Sequence, residues 1–143
     1  MEKSCGVVLF NSDKFLLLQH NNEDSGADGH WDFPKGHVEE DDDDRKATAA
    51  RELAEETGIS DIQFIDDFEF RTAYDFRHKG KRIDKQVFWY IAETETISVK
   101  ISHEHQEHLW LEWESAMMQL THHESKGVLA AAHAHMKSIG KED

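Results

Sequence analysis

The nine residues RELAEETGI, positions 51 to 59, set Glu52, Glu55 and Glu56 on a segment rich in helix formers and then stop at a glycine. On a helix, residues three and four apart share a face, so the three carboxylates project together. In water such a patch costs stability through like-charge repulsion. It reads either as the solvated acidic face of an acidic chain or as a grip for a hard divalent cation, whose oxygen ligands it would supply. Just upstream, DDDDRKATAA places aspartates where they favour a helix N-terminus, and Gly58 suits the position after the last turn. The pattern predicts a helix from about Asp43 to Thr57.

On either side of this helix, apolar β-rich runs alternate with turn formers. GVVLF and KFLLLQH, separated by NSDK, read as a hairpin, and NNEDSGADGH as a loop. Beyond the helix, IQFIDDFEF and KQVFWYIAE read as strands joined by the turn-rich RHKGKRID, and HLWLEW as another strand. The tail from Glu124 to about Ile139 carries Val128, Leu129, Ala132, Met136 and Ile139 on one helical stripe. The order of strands, helix, strands, helix predicts a mixed sheet covered by helices, an α/β or α+β sandwich.

With 143 residues, 38% of them hydrophobic, the chain can bury one core and is too short for two comfortable ones. One domain over residues 1–143 is expected. Lys and Arg total 16 against 30 Asp and Glu, a formal charge of −14. Such a surface repels duplex nucleic acid and anionic membrane, so an anionic substrate needs a local positive field or a metal. Arg77, Lys79, Lys81, Arg82 and Lys85, crowded into nine positions, offer such a field, a solvated hairpin connection being the plainer reading. Cys5, the sole cysteine, lies in CGVVLF and reads as a buried thiol of a reducing compartment. No window approaches the roughly 20 apolar residues of a membrane span, and a cytoplasmic protein is the default expectation.

The histidine pairs His103 with His105 and His133 with His135 lack cysteines at ligand spacing, which leaves zinc a weak reading. His122, His123, His133 and His135 are expected at the surface. Phe76, Phe88, Trp89, Tyr90, Trp110 and Trp113 are expected mostly in the core, divided by strand alternation between the two faces of the sheet.

GHVEEDDDDRKATAARELAEETGI, Gly36 to Ile59, resembles the Nudix box, G-x5-E-x7-R-E-U-x-E-E-x-G-U with U apolar. Arg51, Glu52, Leu53, Glu55, Glu56, Gly58 and Ile59 match every fixed position of its second half. The first half carries one extra residue between Gly36 and Arg51, and counting back from Arg51 puts Asp43 where the box has glutamate. The extra residue is expected in the acidic loop ahead of the helix. The flanks are similar to those of the asymmetrical diadenosine tetraphosphate hydrolases within that family, through WDFPKGHVE, Tyr74, and SHEHQEHLWLEWESA at residues 102 to 116. The resemblance runs from Gly6 to about Leu129.

It implies an α/β/α sandwich and Mg²⁺-dependent hydrolysis, with Mn²⁺ the alternative ion, of a dinucleoside polyphosphate: diadenosine tetraphosphate would yield ATP and AMP. A different nucleotide substrate (a nucleoside triphosphate, a dinucleotide cofactor or an RNA 5′ end) and a non-catalytic nucleotide-binding module are the alternatives. The intact R-E-x-x-E-E helix argues against the module, since a pure binder has no need of three repelling carboxylates. By resemblance, Glu52, Glu55, Glu56 and the Gly36 carbonyl hold the metal, and Arg51 orients one of the carboxylates. The base role is open among Glu104, Glu52 and Glu55, with Glu52 and Glu104 expected to share the chemistry. Lys35, His37, Lys85 and His103 are the expected phosphate contacts, and Tyr74 the expected stacking partner for adenine.

Overall fold

A computed structural model describes residues 2–20, 29–103 and 105–140. The loop read at residues 21–30 falls largely on 21–28, outside the described residues. The predicted first hairpin forms from β1 (Glu2–Asn11) and β2 (Lys14–His20), turning at Ser12 with φ 57°. Two short strands follow, β3 (Trp31–Asp32) and β4 (Lys35–His37), then α1 (Arg45–Thr57). Asp44 caps α1, its Oδ1 accepting from the Ala47 amide at 2.8 Å, and Gly58 ends it at φ 76°. Aspartate accepts the orphan amides and glycine tolerates the left-handed turn, as the composition predicts.

After α1 come β5 (Ile62–Phe64), β6 (Phe70–His78), β7 (Lys81–Thr94) and β8 (His105–Glu112). Two helices close the order, α2 (Trp113–Gln119) and α3 (His123–Ser138). β1 pairs with β7 in parallel, while β2, β4, β5, β6 and β8 join their neighbours antiparallel. The sheet is therefore mixed. Ser4 to Phe10 are all buried because helices cover both faces of β1. Cys5, Val7 and Leu9 pack with Leu53 of α1 on one side, and Val8 and Phe10 with Val128, Leu129 and Met136 of α3 on the other.

Several local expectations are corrected. RHKGKRID is strand rather than loop: only Lys79 and Gly80, at φ 52° and 78°, make the turn, and the flanking residues pair from His78 with Lys81 back to Phe70 with Trp89. Two consecutive residues with positive φ match the twist of a tight hairpin, so the basic residues need no longer loop. IQFIDDFEF is interrupted, with β5 ending at Phe64 and β6 starting at Phe70. Trp113 begins a helix instead of ending a strand. Ile139 lies beyond α3 and is exposed. His133 is buried, stacked on Trp113 at 4.2 Å, because α3 turns it inward against α2. Among the expected core aromatics, Phe88, Trp89 and Tyr90 are buried and divided between the faces, while Phe76 is 38% exposed. No helix among the described residues is long and apolar enough to cross a membrane.

Candidate active site

Arg51 is the hub that fastens the acidic loop to α1. Its Nε and Nη2 donate to the two oxygens of Asp42 at 2.9 and 3.0 Å, and Nη2 also donates to the His37 carbonyl at 2.9 Å. Its Nη1 reaches Glu52 Oε2 at 2.6 Å and Glu55 Oε2 at 3.2 Å. Asp42 also accepts from the Thr48 hydroxyl at 2.8 Å, and these donors hold its carboxyl well below the usual carboxylate range, the Arg51 hydrogen bond most strongly. Asp43, which the backward count selects, is exposed. Asp42 is the sixth residue after Gly36, so the loop keeps its spacing from the glycine, and the extra residue falls between Asp42 and Arg51. A count from either end cannot choose between adjacent aspartates; a two-point contact with a guanidinium does.

Glu52, Glu55 and Glu56 line one open cleft of about 660 Å³, together with Lys35, Gly36, His37, Lys85 and His103. Gly36 is needed there for space: a Cβ on it would stand 1.7 Å from Glu52 Oε1. Glu56, buried, accepts from the Lys35 amide at 3.4 Å, and His105 Nε2 lies 3.6 Å from its Oε1. Ser102 Oγ and His105 Nδ1 are 3.2 Å apart, which orients the ring. Burial raises the pKa of Glu52 against the opposing pull of Arg51. Lys85 has its pKa lowered by burial and by nearby Lys35. His37 turns toward Glu2, 3.0 Å away, at the rim, and His103 is exposed. Glu104 lies outside the described residues.

Tyr74 lines a neighbouring pocket of about 290 Å³ with Trp89, His30 and His122. Lys35 borders both spaces: its ammonium is 3.5 Å from Asp32 Oδ2 and 5.9 Å from the centre of the Tyr74 ring. Burial works against its charge, but Asp32 and Tyr74 outweigh that, and its pKa is raised. Asp32 is itself fixed by Ser125 of α3, whose hydroxyl donates at 2.8 Å. Sequence reasoning passed over Asp32, although a carboxylate three residues before Lys35 in WDFPKGH was a signal. It also placed His122 simply at the surface, whereas that exposed ring walls the pocket.

Four imidazoles run between the two spaces. His20 stacks on His30 at 4.5 Å and meets His105 edge-on at 4.5 Å, and His30 lies 4.9 Å from His122. Burial, then the neighbouring His105, His30, Lys35 and His122, push the His20 pKa down to about 3. These histidines are far apart in sequence, so no spacing announced the row.

The donor set of the cleft, three carboxylates beside a glycine whose missing side chain admits Glu52, is the oxygen-rich chemistry a hard divalent cation takes. Among the described residues, no three acidic, histidine or cysteine side chains already converge on one point as a metal site. Arg51 instead draws Glu52 and Glu55 to itself.

The NUDIX domain family model matches residues 2–132. The bis(5′-nucleosyl)-tetraphosphatase [asymmetrical] of Mus musculus is 33% identical over 147 residues, covering 92% of each chain. That of Sus scrofa is 31% identical over 96% of this chain and 97% of its own. Among solved structures, a binary complex of the C. elegans Ap4A hydrolase superposes with a TM-score of 0.82 at 30% identity, covering 96% of this chain and 99% of that one.

Proposed function

The chain belongs to the Nudix hydrolase family, and from that premise we propose that it is a Mg²⁺-dependent hydrolase of dinucleoside polyphosphates, cleaving diadenosine tetraphosphate asymmetrically to ATP and AMP. The observation that carries this reading is Lys35, which borders the carboxylate cleft and the Tyr74 pocket at once. A ligand with a base in the pocket can then run its phosphates past Lys35 and Lys85 to the carboxylates. The relatives' names favour the same substrate, at 31–33% identity over nearly their whole length.

Mg²⁺, bound by Glu52, Glu55 and Glu56 with the Gly36 backbone, would neutralise charge on the phosphoryl oxygens. Arg51 sets the orientation of Glu52 and Glu55, and Asp42 sets that of Arg51. His105 and the Lys35 amide hold Glu56. Lys35 and Lys85 draw the phosphate chain, with His37 and His103 at its rim, and Tyr74 stacks the base. Glu52, with its raised pKa, is the proton acceptor we assign within the described residues, and Glu104 the second candidate. A buried, unpaired Cys5, whose thiol is pushed up to about 11 mainly by burial, fits a cytoplasmic enzyme.

The test is a product assay on a nucleotide panel with and without Mg²⁺. ATP and AMP from diadenosine tetraphosphate are expected. Glu52→Gln and Glu56→Gln should each lower kcat more than about 100-fold, roughly 2.7 kcal/mol of transition-state stabilisation, with the fold intact. Two ADP molecules as products, or brisk hydrolysis of simple nucleoside triphosphates alone, would overturn the substrate assignment.

A further inference from the structure

The hairpin of β6 and β7 outruns the rest of the sheet. β1 pairs with β7 from Glu2 opposite Lys85 onward, so among the described residues 75–84 pair only with one another. They form a two-stranded finger projecting from the rung of Tyr74 and Lys85. That rung is where the two spaces of the site meet, since Tyr74 lines the small pocket and Lys85 the carboxylate cleft.

The two faces of the finger differ in charge. In a strand pair, alternate residues and their partners share a face. Asp75, Arg77, Arg82 and Asp84 lie on the back, where Arg82 reaches Asp75 at 2.9 Å and Asp84 at 3.3 Å, so acid offsets base. The front carries Tyr74, Phe76 and His78 opposite Lys85, Ile83 and Lys81. The Tyr74 and Phe76 rings, 6.3 Å apart, lie side by side on it. Residues 71–85 hold six basic and two acidic residues in a chain of net charge −14. The front is thus an exposed aromatic bracketed by lysines, continuous with the site, on a protein that otherwise repels anions.

The pocket beside Tyr74, at about 290 Å³, is at the small end for ligand sites and has room for one nucleoside. A dinucleoside polyphosphate brings two. We propose that the front of the finger, Phe76 with Lys81, receives the second nucleoside and its adjoining phosphate, the base stacking on Phe76 and the lysine meeting the anion. This rests on the substrate reading above. It makes the finger a specificity element, which separates dinucleoside polyphosphates from mononucleotides with the same number of phosphates.

The experiment compares diadenosine tetraphosphate with adenosine 5′-tetraphosphate, which has the same phosphate chain and one nucleoside fewer. Phe76→Ala should raise KM for the dinucleoside about tenfold, with kcat nearly unchanged, by loss of one base stack. It should leave KM for adenosine tetraphosphate alone, and Phe76→Tyr should restore the dinucleoside value. An equal effect on both compounds, or none on either, overturns the proposal. So does a loss confined to a 5′-triphosphorylated RNA oligonucleotide, which would make the finger a strand-binding face. Should the wild-type protein hydrolyse neither compound, the substrate reading fails by itself. Calorimetric binding of the same two compounds then decides the finger: Phe76→Ala must weaken only the dinucleoside.

Discussion

Replacing Gly36 by alanine separates position from stability at the candidate site. The new Cβ would stand 1.7 Å from Glu52 Oε1, and real Cβ contacts essentially never fall below 3.0 Å, so the carboxylate must retreat by at least the difference, 1.3 Å. Cδ and Cγ of Glu52 would stand 1.9 and 2.4 Å from the new Cβ, so the whole side chain must swing aside rather than its tip alone, at about 1–3 kcal/mol, the usual range for overpacking. Functionally the displacement is expensive, because Glu52 is held at 2.6 Å by Arg51 and faces the cleft beside Glu55 and Glu56. A misplacement of about 1 Å in a reacting constellation costs on the order of 100-fold. The expected variant therefore loses about two orders of magnitude in kcat while it stays folded, its melting temperature falling by roughly 3–12 °C. Gly127→Ala is the control: it sits on α3 with nothing within 4 Å of its added Cβ, and should gain roughly 0.5–1 kcal/mol with activity unchanged. Steady-state turnover and thermal melts on the same preparations make the measurement. A Gly36→Ala protein within about threefold of wild-type turnover would refute the claim that this close approach positions Glu52 for chemistry.

Asp42→Asn should lower both melting temperature and turnover, whereas Asp43→Asn should change neither; equal effects would return the role to Asp43. Because the Asp42 pKa is depressed below its ordinary 3.8, its stabilisation is full above that value and lost as pH falls through the depressed one, so the Asp42→Asn melting curve should converge with wild type only in strong acid. His20 works the other way: its pKa falls from 6.5 to about 3, so between those values the unfolded chain binds a proton that the folded chain refuses, and stability drops as pH falls below about 6.5. His20→Gln should flatten that part of the pH–stability profile, and an unchanged slope in denaturant titrations would remove the buried neutral imidazole from the account.

α1, expected from about Asp43 to Thr57 and found at Arg45–Thr57, was legible because capping and helical periodicity act between residues a few positions apart, and the shared face of Glu52, Glu55 and Glu56 follows from the same repeat. The strands of the first hairpin and the stripe of α3 were legible for the same reason, as was the layered α/β arrangement their order implies. Where strands pair, the code is non-local, and the sequence left it open. Asp42 rather than Asp43 meets Arg51 because loop and helix are fastened in space, not counted along the chain. Lys35 joins two cavities only because β4 lies against β1 and β6 against β7. The histidine row draws His20, His30, His105 and His122 from four separate stretches. Burial then decides what each group can do: the same imidazole that titrates in water is kept neutral at position 20, and a glycine that looks like a flexible joint at position 36 is an opening the width of one carboxylate.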